Sequence, residues 1–167
     1  MPDTRITVRR LRSGEAELYR RIRLESLRDS PSAFGSTYES ALQRSPASWR
    51  EQTQRSAQGP DRSTLIAFAD ELPIGISALY RDGVGSESGE LLQVWVDPAY
   101  RGKGVAGKIL DLLLLWAQEN DFRRVVAVVT FENARAQSFY RKVGFVPAHS
   151  PAHESADGIV LVHELTS

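Results

Sequence analysis

Three glycines and three basic residues lie within one short segment of this chain, Arg101-Gly102-Lys103-Gly104-Val105-Ala106-Gly107-Lys108. The segment follows a predicted strand over residues 90–96 and opens a long amphipathic helix over about 102–120. A glycine-rich helix start offers unpaired backbone N–H groups and the positive end of the helix dipole, and Arg101 and Lys103 add mobile cations. These features predict a phosphate-binding loop.

The spacing of the glycines matches the dinucleotide-binding fingerprint. Its pattern is met by Gly102, Gly104 and Gly107, and Glu132 follows the next predicted strand, where a ribose-binding acid lies in such folds. That fingerprint requires its first glycine directly after the strand, whereas residues 97–101 intervene here. Too little chain follows the loop for the remaining strands of such a fold. A dinucleotide-binding protein is therefore the less favoured alternative.

The same segment matches most of a P-loop, the phosphate-binding motif of nucleotide hydrolases. Gly102, Gly107 and Lys108 occupy three of its positions, but the next residue is Ile109. That position needs Ser or Thr to ligate Mg²⁺, and an aliphatic side chain has no ligand atom. Nucleotide hydrolysis is therefore not expected.

The loop and its surroundings fit a third pattern at every element. Residues 94–106 resemble the strand–turn–loop–helix signature of the GNAT family of N-acetyltransferases. The core of that signature, Arg/Gln-x-x-Gly-x-Gly/Ala, is met by Arg101, Gly104 and Ala106. Residues 133–140 resemble a second element of the family, closed by a Gly-Phe pair at the expected distance.

The resemblance implies that the glycine loop binds the pyrophosphate of coenzyme A through its backbone amides. That role falls here on Arg101, Gly102, Lys103, Gly104, Val105, Ala106 and Gly107. In the family the pantetheine arm runs beside the preceding strand, so the backbone of Val94, Trp95 and Val96 is expected to pair with its amides. A β-bulge in that strand would help to aim an N–H group at the thioester carbonyl.

Two residues of the second element also receive roles from the resemblance. Asn133 is expected to hydrogen-bond the pantetheine. It also directly precedes a predicted helix over 134–143, so it can act as the N-cap of that helix. Tyr140 lies two helical turns further on nearly the same face, and the equivalent tyrosine protonates the departing thiolate in the family. A phenol with a pKa of about 10 can protonate a thiolate whose acid has a pKa of about 8.5. The alternative for Tyr140 is a core residue that only packs.

A base is expected because an amine attacks only when it is deprotonated. Glu90 is the first candidate, since it opens the glycine-loop strand at the position of the base in histone-type members of the family. Its even spacing from Val96 predicts that both residues lie on one strand face, and the alternative is a solvated glutamate at a strand end. Glu39 is the second candidate, because acceptor pockets in this fold use the region after the first helix.

Cysteine chemistry is excluded and metal chemistry is not expected. The chain has no cysteine, so disulfides, thiolate zinc sites and cysteine nucleophiles are ruled out. His149, His153 and His163 lack the i, i+4 spacing of a helical metal site. We interpret these histidines as solvated or structural.

Charge and hydrophobic patterning limit the partners. Lysine plus arginine and aspartate plus glutamate both number 21, so there is no general attraction to nucleic acid or an anionic membrane. The first residues lack the apolar stretch of a signal peptide, and the longest apolar run, 112–117, is too short to cross a bilayer. We expect a cytoplasmic protein that binds neither nucleic acid nor membranes.

The elements that must position these residues are expected to form a single domain over residues 1–167. Strands are predicted at 6–11, 64–69, 74–81, 90–96, 124–130, 145–148 and 159–165, and helices at 15–27, 49–55, 102–120 and 134–143. This order predicts an α/β sandwich on a mixed sheet. The resemblance covers about residues 64–165 well and the first sixty in outline. It implies a mostly antiparallel, splayed sheet of about seven strands flanked by about four helices.

The function that the resemblance implies is transfer of an acetyl group from acetyl-CoA to a primary amine, by direct attack in a ternary complex. The sequence does not identify the acceptor, for which a small amine, an amino acid analogue or an antibiotic is favoured over a protein N terminus. A non-catalytic acyl-CoA sensor is the alternative. The family also favours a homodimer.

Overall fold

The computed structural model of this protein describes residues 4–30, 37–148 and 158–165. The strands are β1 (Ile6–Arg10), β2 (Arg62–Ala69), β3 (Leu72–Arg81), β4 (Ser88–Val96), β5 (Arg124–Val129), β6 (Val146–Pro147) and β7 (Ile159–Glu164). The α-helices are α1 (Ala16–Asp29), α2 (Tyr38–Leu42), α3 (Pro46–Ala57), α4 (Val105–Glu119) and α5 (Ala134–Lys142). None of the helices in the described ranges is long and apolar enough to cross a membrane.

The strands of the described chain join one seven-stranded sheet in the order β1-β2-β3-β4-β5-β7-β6. Five of the six neighbouring pairs are antiparallel, and the pair of β4 with β5 is parallel. The predicted mixed, mostly antiparallel sheet of about seven strands is confirmed. A dinucleotide-binding fold requires a parallel sheet instead, so the dinucleotide alternative fails at the level of the fold.

Side chains of the sheet pack alternately against helices on its two faces. On β2, Leu65 and Ala67 belong to a core built with α4, whereas Ile66 between them belongs to a second core built with α1 and α3. In the second core the rings of Tyr19 and Trp49 meet edge-on with centroids 5.6 Å apart. Both faces are covered, as the element order predicts. We call these the α4-side and the α1-side of the sheet.

Helix α4 fixes the glycine loop to the sheet. Val105, Ile109, Leu113 and Ala117 repeat at every fourth position and are each at most 2% exposed. The helix begins after Gly104, whose φ of 79° lies in the left-handed region that favours glycine. The predicted helix is therefore confirmed, with its first turn placed directly after the loop.

The segment before β2 contains two helices, although the sequence predicted only one. Helix α2 begins with a capping box, in which Thr37 Oγ1 accepts a hydrogen bond from the Ser40 N–H at 3.0 Å. Helix α3 begins at Pro46 behind its Ser45 N-cap, earlier than the predicted start at Trp49. These start signals are present in the sequence, but they are hard to distinguish in a segment so rich in serine and glutamine.

Candidate active site

The parallel pair at the centre of the sheet opens into a wedge. Strands β4 and β5 pair over Ser88, Gly89 and Glu90 only. Beyond Glu90, β4 continues beside β3 and β5 continues beside β7, so the two strands separate. Within the described residues, the edge of residues 91–96 that faces β5 therefore has no strand partner, and we call the gap between 91–96 and 127–129 the wedge. Such an edge presents N–H and C=O groups to an extended ligand.

A β-bulge lies in β4 beside the wedge. Leu92 pairs with Ala78 and Trp95 pairs with Ile76, so β4 has one more residue than β3 between the two pairs. Gln93 has a φ of 61°, in the left-handed region that non-glycine residues rarely adopt. The structure thus contains the bulge that the family resemblance led us to expect.

The bulge changes the face on which Glu90 lies. The even spacing of Glu90 and Val96 predicts one shared face, but the extra residue reverses the alternation between them. Val96 packs in the α4-side core. Glu90 pairs with Tyr80, whose hydroxyl accepts a hydrogen bond from Gln52 of α3 at 2.8 Å. The predicted shared face is therefore wrong, and Glu90 lies on the α1-side of the sheet.

Glu90 is half-buried at the point where the wedge opens. Burial raises the pKa of its carboxyl, and the negative charge of Asp82 raises the pKa further. The shift brings the pKa closer to neutral pH, where a general base is most effective. Glu39, the second candidate base, is exposed in the first turn of α2. The position of Glu90, where the wedge opens, favours it over Glu39 as the candidate base.

The glycine loop, residues 101–108, presents an open backbone. Gly102 and Gly104 have φ values of 77° and 79°. A Cβ atom built on Gly102, Gly104 or Gly107 would meet no heavy atom within 4 Å. The N–H of Lys108 donates to the Gly104 carbonyl at 3.0 Å, as the first bond of α4. The N–H groups of the preceding turn are therefore available to an anion.

Arg101 is held by the fold and is not the mobile cation that the sequence predicted. Its Nε donates to the Val96 carbonyl at 2.9 Å, and its guanidinium forms an ion pair with Asp29 at 2.6 Å. The same Asp29 oxygen accepts a hydrogen bond from the indole N–H of Trp95 at 2.9 Å. Burial alone would raise the pKa of this carboxyl, but hydrogen bonds from Trp95, Ser30 and Arg101 hold the pKa below its usual range. Asp29 therefore connects the end of α1 to the end of β4 and to the loop.

The two lysines of the loop have different surroundings. The Lys108 ammonium donates to the Ile6 carbonyl at 3.0 Å, so this side chain links α4 to β1. Lys103 is exposed, and its ammonium lies 5.6 Å from the centre of the Tyr100 ring. Lys103 is thus the loop cation that can reach a bound anion with the least rearrangement.

The predicted second element forms the start of α5. Asn133 is its N-cap, since Asn133 Oδ1 accepts a hydrogen bond from the Ala136 N–H at 3.1 Å. Helix α5 ends before Gly144, which has a φ of 104°. The capping role is confirmed, and it uses the amide oxygen rather than the amide N–H groups of Asn133.

Tyr140 lies in the α4-side core and is 7% exposed. Its ring centroid lies 5.4 Å from those of Phe139 and Phe145, in edge-on contacts. Burial raises the pKa of its phenol, so the hydroxyl stays protonated at neutral pH and is a weaker acid than a free phenol. In the part of the chain that the structure describes, this hydroxyl has no hydrogen-bond partner. The ring packs, and the hydroxyl is left available as a proton donor.

His163 has the structural role that we expected. Its ring packs against Phe145 with centroids 5.2 Å apart, and its Nδ1 lies 3.0 Å from the Glu164 carbonyl oxygen. His149 and His153 lie outside the described residues. Across residues 4–30, 37–148 and 158–165, no three His, Asp or Glu side chains are grouped so that they could hold a metal ion.

Curated relatives match the chain over about half of its length. Uncharacterized N-acetyltransferases of Mycobacterium bovis and Mycobacterium tuberculosis are 34% identical to it over 86 residues. The match is 52% of this chain and 54% of each relative, so the chain spans about half the length of the curated relatives it matches.

Solved structures share the fold over nearly the whole chain. The PaiA N-acetyltransferase of Thermoplasma acidophilum, in complex with coenzyme A, has a TM-score of 0.75 at 20% identity, over 96% of this chain and 99% of that chain. A GNAT acetyltransferase of Streptococcus pneumoniae has a TM-score of 0.79 at 20% identity, over 97% of this chain and 100% of that chain. The N-acetylglutamate synthase of Neisseria gonorrhoeae, in complex with coenzyme A and N-acetylglutamate, has a TM-score of 0.68 at 16% identity. The match covers 99% of this chain and 36% of that chain. At these identities the likeness establishes the fold.

A family model, described as the acetyltransferase (GNAT) family, matches residues 24–145. The match is more than two thirds of the chain and runs from α1 through the wedge and the glycine loop to the end of α5. Together with the shared fold, it shows that the chain belongs to the GNAT family of acetyltransferases.

Proposed function

We propose that this protein is an acetyl-CoA-dependent N-acetyltransferase that transfers the acetyl group to a primary amine by direct attack in a ternary complex. This proposal depends on two surfaces that are adjacent along the chain, the wedge and the open glycine loop that follows it. A ligand with an amide-containing arm and a pyrophosphate fits these two surfaces, and coenzyme A has that chemistry. The Thermoplasma and Neisseria structures contain coenzyme A.

The pyrophosphate of the substrate is assigned to the glycine loop. Its ligands would be backbone N–H groups of residues 102–107, because the open space above Gly102, Gly104 and Gly107 lets a phosphate approach them. The N–H of Arg101 donates to the Pro98 carbonyl instead. Lys103 adds a positive charge. Arg101 acts indirectly, since its guanidinium holds the loop through Asp29.

The pantetheine arm is assigned to the wedge. The backbone of Val94, Trp95 and Val96 lies on the unpaired edge of β4, where an amide-containing chain can hydrogen-bond as a strand does. Asn133 can contribute its side-chain N–H groups, because its cap bond uses the oxygen. The bulge at Gln93 supports the proposal that a backbone N–H of β4 points at the thioester carbonyl. Negative charge develops on that carbonyl oxygen during transfer.

The transfer itself requires one base and one acid. Glu90 accepts a proton from the amine, directly or through water, and the nitrogen lone pair attacks the thioester carbonyl carbon. The C–S bond then breaks, the acetyl group stays on the nitrogen, and the nitrogen releases its second proton to solvent as the neutral amide forms. Tyr140 gives its phenolic proton to the departing thiolate, which leaves as a thiol, and Tyr140 regains a proton from solvent. The absence of cysteine agrees with a mechanism that has no acyl-enzyme.

A panel of primary amines tests the proposal. Each amine is incubated with acetyl-CoA, free thiol is measured over time, and N-acetyl product is identified by mass spectrometry. The proposal predicts amine-dependent thiol release with an equal amount of N-acetyl product. Tight acetyl-CoA binding without release for any amine would contradict it and would favour the sensor. The single domain, the homodimer and the cytoplasmic location stay predictions.

A further inference from the structure

A cavity lies on the α1-side of the sheet, next to the bulge. Its volume is about 140 Å³. Its lining includes side chains from α1, from the connection between α2 and α3, from α3 and from the bulge: Arg23, Arg44, Trp49, Gln52 and Gln93. Two of the lining side chains are cationic, and none of them is acidic.

Arg23 places a positive charge where water has little access. The residue is 5% exposed, and its guanidinium donates to Ser26 Oγ at 3.2 Å. Burial and the positive charge of Arg44 lower the pKa of this guanidinium, whereas the nearby Tyr19 and Tyr80 side chains raise it. An anion bound between Arg23 and Arg44 would offset the burial and the repulsion between the two charges.

Arg44 is oriented before any ligand binds. Its guanidinium lies over the Trp49 ring, 3.9 Å from the ring centre. It donates to Ser48 Oγ at 3.1 Å and to the side-chain oxygen of Gln52. The Gln52 amide donates in turn to the Tyr19 hydroxyl at 2.7 Å. A cation held in this way loses little side-chain freedom when it binds an anion.

Gln93 connects the cavity to the proposed reaction centre. Its backbone forms the bulge, and its side-chain oxygen accepts a hydrogen bond from the Tyr19 hydroxyl at 3.0 Å. Because Gln93 lines the cavity, a molecule bound there lies against β4 on the α1-side. Glu90, the proposed base, lies on the same side of the same strand.

We propose that the acceptor is an amine that also carries a carboxylate, and that Arg23 and Arg44 bind this carboxylate in the cavity. The inference rests on the proposed N-acetyltransferase function and names the substrate class of its acceptor site. Arginine suits this role because its planar fork of N–H donors matches the two oxygens of a carboxylate. The amine end of such a molecule would extend past Gln93 toward the thioester.

The cavity volume limits the size of the carboxylate end of the acceptor. A cavity of about 150 Å³ admits a molecule the size of benzene, or about six non-hydrogen atoms. A carboxylate with a short carbon chain fits within this limit, whereas a folded protein surface does not. This limit favours an amino acid or a close analogue whose carboxylate end is compact.

The substrate test uses matched sets of three probes: an L-amino acid, its carboxamide, and the amine that remains when the carboxylate is removed. The kcat/KM for N-acetyl product is measured for each probe. Hydrogen bonds to charged groups predict a tenfold to hundredfold preference, roughly, for at least one amino acid over both neutral partners. Equal or faster acetylation of the neutral probes throughout would overturn this inference and leave the N-acetyltransferase proposal intact.

Arg44→Met tests the site, because methionine keeps an unbranched stem over Trp49 and removes the charge. We expect the preference for the carboxylate to fall to about one, mainly through KM, and Arg44→Lys to restore part of it. Arg50→Met, at an exposed arginine of α3, is the matched control and should keep the full preference. A folded Arg44→Met that keeps the preference would overturn the assignment.

Thermal shifts of the protein saturated with coenzyme A separate the two proposals. An amino acid that raises Tm in the parent but not in Arg44→Met supports the cavity assignment, even where no product forms. In that case only the transferase proposal fails. No amino-acid-dependent shift, together with no carboxylate preference, overturns the inference.

Discussion

At the scale of single residues, Tyr140 combines burial with a hydroxyl that has no partner among the described residues. Burial of the ring explains its packing against Phe139 and Phe145, but it does not explain the hydroxyl. The hydroxyl is protonated and has no competing partner among those residues, so it can give its proton to a departing thiolate, although its raised pKa makes it a weaker acid than a free phenol.

Tyr140→Phe removes this donor and keeps the ring. We expect kcat to fall by about 10²–10⁴-fold, while the Kd for acetyl-CoA and Tm change little, because the hydroxyl acts only in the transition state. Initial rates and calorimetric titration measure the two effects. Phe139→Leu disturbs the same aromatic cluster without removing the hydroxyl and should cost stability rather than kcat. Parental turnover in Tyr140→Phe would refute the acid role.

Glu90→Gln keeps the shape of the side chain and removes the base. We expect kcat/KM to fall by about 10²–10⁴-fold between the pKa of Glu90 and the pKa of the amine. The loss should shrink at higher pH, where the amine is already neutral, and at lower pH, where Glu90 of the parent is also protonated. Because the folded-state pKa of Glu90 is raised, its carboxylate disfavours the folded state as pH rises through that pKa. The variant should therefore be at least as stable as the parent at neutral pH.

A pH–rate profile with matched melting curves checks this prediction. Glu87→Gln is the control, since Glu87 lies near the start of the same strand and is 63% exposed. A loss in Glu90→Gln that is equal at every pH would indicate a positioning role instead of a base.

The sequence indicated Glu90, Asn133 and Tyr140 as candidates because Asn133 and Tyr140 lie within a family signature and Glu90 opens the strand that leads to the other one. Asp29 was missed because its partners Trp95 and Arg101 are 66 and 72 residues away, and no local pattern connects such positions. The one available signal is an aspartate at the end of a helix, where the helix dipole disfavours negative charge.

At the scale of elements, the glycine loop can be tested without straining the backbone. Gly104 is a poor choice, since its φ of 79° disfavours any side chain. Gly107 has no such constraint, and a Cβ there would meet nothing within 4 Å. Position 107 therefore separates the effect on ligand binding from the effect on folding.

Gly107→Glu adds a negative charge where the pyrophosphate is expected. We predict at least about a tenfold loss of coenzyme A affinity, because like charges about 4 Å apart near a surface repel by a few kcal/mol. Gly107→Ala, the control, should raise the free energy of unfolding by about 0.5–1 kcal/mol, since alanine favours a helix. Titration calorimetry and thermal melting measure both. Unchanged affinity in a folded Gly107→Glu would rule out the loop as the pyrophosphate site.

Asp29→Asn tests how α1 supports the loop. We expect Tm at neutral pH to fall by roughly 2–4 °C, because a partly exposed ion pair contributes about 1 kcal/mol to stability. We also expect the affinity for coenzyme A to fall, because Arg101 loses the contact that holds it. The folded-state pKa of Asp29 is lowered, so its contribution is present above the unfolded pKa and is lost as pH falls through the folded value. The difference in Tm should therefore shrink below about pH 4.

Asp61→Asn is the control, because it removes an Arg–Asp pair at Arg81 that lies away from the loop. It should leave coenzyme A affinity unchanged. If Asp29→Asn also binds coenzyme A like the parent, the contact of Asp29 with Arg101 supports the fold but not the loop.

Long periodic elements were predictable, whereas single-residue irregularities were not. The four-residue repeat of α4 specifies both its helix and its buried face. The bulge at Gln93 depends on the pairing of β4 with β3, so residue counting placed Glu90 on the wrong face of the sheet. Helix α2 has only five residues, too few to show a hydrophobic period.

At the scale of the whole molecule, the two sides of the sheet have separate tasks. On the α4-side, the glycine loop and Tyr140 are held by the core that α4 builds. On the α1-side lie Glu90 and the cavity with Arg23 and Arg44. The wedge lies between them, so in the mechanism that we propose the acetyl donor and the acceptor would meet at the bulge from opposite sides of β4.

Hydrogen–deuterium exchange with and without coenzyme A tests whether the wedge and the glycine loop bind the cofactor. Binding at these two surfaces predicts slower exchange in residues 91–96 and 102–107 when coenzyme A is present. It predicts little change in β1 or α3, and no such change with NAD. Protection confined to other segments, or equal protection by NAD, would contradict it.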